Sequence, residues 1–147
     1  MIIASGDLWA GAEAVVYELC AGLKEHTPSD ITAVFLNEGV LADRCREAGI
    51  LTYVIDEKNN NFFMLTKRII NLASQIQPHV IHTHRYKENM MALIMKVFLR
   101  NVHLVSTVHG RFEHQGGLKQ MILNMLNAFI MGRFFSSVVA VSHDLSG

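Results

Sequence analysis

The stretch Met1–Leu19, MIIASGDLWAGAEAVVYEL, decides the fold. Its apolar run Met1–Ala4 gives way to a loop holding Gly6 and Gly11, then to an acid and a long apolar helix face. Glycines between a strand and a helix let the backbone come close to a ligand, often a phosphate held at the helix amino terminus. Two common phosphate loops are excluded. A Walker A loop ends in Gly-Lys-Ser/Thr, whereas Gly11 precedes Ala12 and Glu13. The dinucleotide spacing G-x-G-x-x-G is absent as well.

Working outward, short β-branched bursts alternate with helical patterns along the chain. The bursts are Met1–Ala4, Ile31–Leu36, Leu51–Ile55, His79–His82, His103–Val108 and Ser137–Val141. Such runs suit strands covered on both faces. The helical candidates between them are Gly11–Glu25, Val40–Ala48, Phe62–Gln75, Lys87–Leu99 and Leu118–Gly132. In the first, Val15, Leu19 and Leu23 recur every four residues, with Val16 and Cys20 widening the stripe. Asn59–Asn61 is placed to cap the third helix. The alternation predicts an α/β fold, a Rossmann-like doubly wound parallel sheet of six strands with helices on both faces, in order 3-2-1-4-5-6.

The length of 147 residues makes one domain the expectation, 1–147. Half the residues are hydrophobic and 18% are charged, as in a globular chain. The net charge is zero and no basic run interleaves with aromatics, so nucleic acid is not an expected partner. Cys20 and Cys45 each fall inside a predicted helix, which argues against a disulfide framework and for a reducing, cytoplasmic setting. The start MIIASGD lacks the basic opening and length of a signal peptide. No apolar run reaches the roughly 18 residues that a membrane span requires.

In an open parallel sheet, ligands bind beyond the carboxyl ends of the strands. The loops there carry Gly6, Asp7, Trp9, Gly11 and Glu13, then HTHRYKE, TVHGRFEH and VSHD. Histidines 82, 84, 109, 114 and 143 thus gather at one edge. His82 and His84 share a strand face, which suits either a hydrogen-bonded, half-buried histidine or a metal pair with Asp144 or His109 as third ligand. His109 ends an apolar strand, and Gly110 lets the chain turn close to a ligand there.

Four motifs in order carry a resemblance: LWAGAE, VIHTH, STVHG and VVAVSHDLS. Together they resemble the amino-terminal, acceptor-side domain of a retaining nucleotide-sugar glycosyltransferase of the GT-B fold, family 4. The family's first loop reads Gly-Gly-x-Glu/Gln; here Ala10 replaces the first glycine, while Gly11 and Glu13 stand in place. The resemblance implies that Gly11 turns the first helix toward the donor diphosphate. It implies that His109 is the active-site histidine, bonding the transferred sugar or stabilising charge beside the anomeric centre. Gly11, Glu13, His84, Arg85, Gly110 and Ser142 form the implied substrate-binding set.

It further implies no cofactor beyond the nucleotide-sugar donor, no resident metal, and a glycan or lipid-linked acceptor. A carboxy-terminal donor-binding domain would follow residue 147, so the fragment alone is expected to be inactive. Two other readings remain open on the residues themselves: a stand-alone Rossmann-like binding module, and a metal-dependent hydrolase using His82 and His84.

The segment GLKQMILNMLNAFIMGRFF, residues 117–135, holds an apolar stripe of Met121, Ile122, Met125, Leu126 and Phe129, the pattern of a buried helix. Further apolar residues spread round it, between Lys119 and Arg133. Part of this surface is expected to dock another domain or to touch the inner face of a membrane. In isolation the domain is expected to self-associate through it.

Overall fold

The computed structural model describes residues 1–6, 9–109 and 118–141. Strands β1 (Ile2–Ala4), β2 (Thr32–Phe35), β3 (Leu51–Val54), β4 (Val80–Thr83), β5 (His103–His109) and β6 (Ser137–Val141) form one sheet. Its order is β3-β2-β1-β4-β5-β6, as the alternation predicts, and every pairing is parallel. At its centre Ile2 registers with Ala33 on one side and His82 on the other. The order reverses between β1 and β4, and the crevice of a doubly wound sheet opens there.

Helices α1 (Gly11–His26) and α2 (Val40–Glu47) cover one face. Val16 and Cys20 of α1 pack with Leu41 and Cys45 of α2 against Ile2, Ala33 and Phe35. Helices α3 (Phe62–Ile76) and α4 (Tyr86–Phe98) cover the other face, where Leu65, Ile69, Met91 and Met95 meet Ile3, Val34, Ile81 and Leu104. Helix α5 (Leu118–Phe134) lies against α4, and Phe135 just beyond it packs on the same cluster. Burying both cysteines, unbonded, inside α1 and α2 keeps them as small apolar fillers.

Local chemistry explains the helix ends. Asn61 caps α3 by accepting a hydrogen bond from the Met64 amide at 2.9 Å. Gln77 closes the same helix in the left-handed region, at φ 52°. A short 3-10 turn at Glu57–Asn59, which the apolar pattern does not signal, links β3 to α3.

Within the α1 stripe Val16 and Cys20 are buried and Leu19 and Leu23 pack half-buried on the same cluster, while Glu13 extends the buried line into the first turn. One expectation is corrected. The stripe Met121, Ile122, Met125, Leu126 and Phe129 of α5 faces solvent instead of the core; Met125 and Phe129 are each 66% exposed. The cause is the helix's position over the sheet edge. Its other side, with Ile130 and Met131, takes the packing, and β6 is itself largely exposed.

Candidate functional site

The site is built where β1, β2 and β4 end. After β1, Ser5 is buried and Gly6 takes φ 74°, a left-handed turn that a side chain strains. Gly6 thus shapes the loop as the sequence implies. The loop after β2 presses on it: a Cβ at Gly39 would lie 2.9 Å from the Gly6 carbonyl oxygen, so only glycine fits.

Helix α1 begins at Gly11, with Ala10 as an N-cap that supplies no side-chain acceptor to the first-turn amides. Glu13 in that first turn is buried, and its Oε1 accepts a hydrogen bond from Arg85 Nη2 at 2.9 Å. Arg85 is the N-cap residue of α4, so this ion pair bridges the helix starts after β1 and β4 across the switch point. Glu13 Oε2 is buried with no hydrogen-bond partner among the described residues. Two residues 72 apart in sequence, both in the implied substrate-binding set, therefore meet at the crevice.

The two histidines after and within β4 stack, ring centroids 4.7 Å apart and planes 14° from parallel. His82 Nε2 lies 2.8 Å from Thr107 Oγ1 of β5, and His84 is buried. The hydrogen-bonded reading of this pair is the one observed at His82. Among the described residues no three of His, Cys, Asp and Glu come together as a metal set. His109 ends β5, its backbone in register with Val141 of β6, so it sits at the same carboxyl edge; only its backbone is described. Gly110, His114, Ser142, His143 and Asp144 lie outside the described residues, as does Asp7.

The sequence reading missed a second polar layer beneath these groups. Ser5 Oγ donates to Glu88 Oε1 at 2.8 Å, and Asn37 Nδ2 donates to Ser5 O at 3.3 Å and Glu57 Oε1 at 2.7 Å. Lys87 pairs with Glu57. These contacts tie the ends of β1 and β2, the 3-10 turn and the start of α4 into one unit. Glu88 is fully buried, with Oε2 lacking a partner among the described residues. Desolvation raises its pKa above the ordinary 4.5, with the Ser5 hydrogen bond opposing. Deeper still, Asn89 Oδ1 accepts from Thr83 Oγ1 at 2.5 Å and Ser106 Oγ at 2.9 Å, while its Nδ2 donates to Asn127 Oδ1 at 3.0 Å. That network fixes β4 and β5 relative to α4 and α5. The one signal for Glu88 in the sequence is its place in the first helical turn after a strand, in HTHRYKE.

A recess of about 540 Å³ between Met1, Leu23, Pro28 and Pro78 opens at the amino ends of β1, β2 and β4, away from this constellation. The polar crevice at the carboxyl ends is the candidate site.

A parallel sheet whose order reverses between β1 and β4 defines a Rossmann-like doubly wound α/β domain. Residues 9–146 match the family model described as Glycosyltransferase Family 4, and the chain belongs to that family. Among solved structures it is similar to Anabaena Alr3699/HepE in complex with UDP, at 14% identity and a TM-score of 0.72, over 93% of this chain and 36% of that one. A second structure of the same protein, with UDP and glucose, gives 15% identity and a TM-score of 0.72, over 93% of this chain and 37% of that one. The chain thus spans little more than a third of those proteins, and at this identity the likeness establishes the fold. No curated protein matches the chain in sequence.

Proposed function

We propose that this chain is the acceptor-side domain of a retaining glycosyltransferase, moving a sugar from a nucleotide-sugar donor to a glycan or lipid-linked acceptor. The observation that carries the reading is the Glu13–Arg85 pair beside His84 at the switch point, in a chain of glycosyltransferase family 4. Gly11 and the open first turn of α1 face the donor diphosphate, where amides and helix dipole favour an anion. Arg85 and His84 orient the substrate, and Glu13 holds the guanidinium in place. His109 hydrogen-bonds the transferred sugar, Gly110 lets the chain pass close to it, and Ser142 lines the cleft. No cofactor takes part, and the reaction runs on the cytoplasmic side of the cell. The UDP and glucose held by the Anabaena protein support a uridine diphosphate hexose as the first donor to try.

The donor-binding half is read as a second domain following this one, which leaves residues 1–147 inactive by themselves. The test compares residues 1–147 with the complete reading frame, each supplied with nucleotide sugars and candidate acceptors. Transfer by the complete protein alone, with the donor's anomeric configuration kept in the product, is expected. Transfer by residues 1–147 alone would end the half-site reading, and an inverted product would end the retaining one.

A further inference from the structure

The two helical layers differ in charge in a way the net charge of zero conceals. Helices α1 and α2 expose Glu18, Glu25, Asp43 and Glu47 together with Lys24, Arg44 and Arg46, a surface of mixed sign. Helices α3, α4 and α5 together contain one carboxylate, Glu88, and it is fully buried. Their side of the sheet instead exposes Lys67, Arg68, Arg100 and Arg133, none of which forms an ion pair among the described residues. The same face exposes large apolar side chains: Phe63 at 77%, Val97 at 74% and Phe98 at 66%, together with the solvent-facing stripe of α5. No helix among the described residues is long and apolar enough to cross a membrane.

We propose that the α3–α4–α5 face is a docking surface for a bilayer containing anionic phospholipid. Cations that form no ion pair among the described residues, set among exposed Phe, Met and Val, match an interface of acidic headgroups over hydrocarbon. Each apolar side chain gains by leaving water, and each cation adds Coulomb attraction to the lipid surface. The opposite layer mixes exposed carboxylates with Lys24, Arg44 and Arg46, so the side whose exposed charges are all positive is the one an anionic lipid surface favours. With α3–α5 against the lipid, the strands lie near the bilayer plane and the crevice at their carboxyl ends opens sideways along it. The proposal adds a surface to the transferase reading and does not depend on transfer chemistry.

The test is co-sedimentation of residues 1–147 with phosphatidylcholine vesicles, with and without phosphatidylglycerol. Binding is expected to require the anionic lipid and to weaken as salt is raised. Arg68→Glu and Arg133→Glu should each weaken binding by roughly fivefold or more, the scale of one surface cation. Met125→Asp with Phe129→Asp should abolish it; since both side chains are exposed, an unchanged circular dichroism spectrum is expected. If that double variant misfolds, the charge reversals and the lipid dependence of the unaltered chain still decide. Equal binding to neutral vesicles, or none to either, would overturn the proposal. So would a dimer persisting with vesicles present and protecting this face, since the occupant would then be a second copy.

Discussion

Glu88 is a carboxyl group enclosed by protein, with one oxygen on Ser5 and the other unpartnered among the described residues. Its pKa is raised in the folded chain, so the native state holds the proton more tightly than the unfolded one. The stability this contributes is full below the ordinary carboxylate value and is lost as pH rises through the folded value. Glu88→Gln keeps the shape and removes the titration. Denaturant unfolding should therefore show the variant gaining on the parent chain as pH rises from 4.5 toward neutrality. The opposite trend would mean that the carboxylate is ionised and stabilised where it lies. His109 carries a separate expectation. In the complete protein, His109→Ala should lower turnover by about 10²-fold or more, the scale for losing a donor to the transition state. Its circular dichroism should be unchanged, and undiminished transfer would remove His109 from the site.

Among the elements, the loops after β1 and β2 are fitted to each other by the absence of a side chain at Gly39. Its φ of 163° is extended backbone that any residue adopts, so the constraint is contact with the Gly6 carbonyl alone. Gly39→Ala should cost about 1–3 kcal/mol in unfolding free energy, the usual scale of overpacking, and should displace the Gly6 turn. A thermal midpoint equal to that of the parent chain would show the loops to be slack. Much of this architecture was legible because each strand announces itself by a β-branched burst and each crossover by a helical period. Glu13 and Arg85 were legible through their places at strand ends. Glu88 was not, because an acid in a first helical turn ordinarily reads as a solvated helix start. Its hydrogen-bond partner, Ser5, lies 83 residues away in sequence. The stripe of α5 misled for a related reason: periodicity shows that one side is apolar but not whether anything lies against it.

At the scale of the whole molecule, a wide cleft needs groups from several strand ends, and metal chemistry would need several ligands converging on one point. His82 is already engaged with Thr107, and its ring is stacked on that of His84. Protein purified without added metal is therefore expected to hold no stoichiometric zinc or manganese by elemental analysis. A tightly held ion lost on His82→Ala or His84→Ala would instead favour the hydrolase reading. The way α5 is attached has a further consequence, for the order in which the molecule opens. Of the described side chains in this helix only Ile130 and Met131 are buried, whereas β1 is buried throughout. With the Asn127–Asn89 hydrogen bond as its further anchor, α5 is expected to open as a unit of local unfolding while the central strands stay closed. Its amide protons should exchange with deuterium well ahead of those in β1 and β2. Binding to a vesicle would slow that exchange in α5 while leaving the sheet's own rates nearly unchanged.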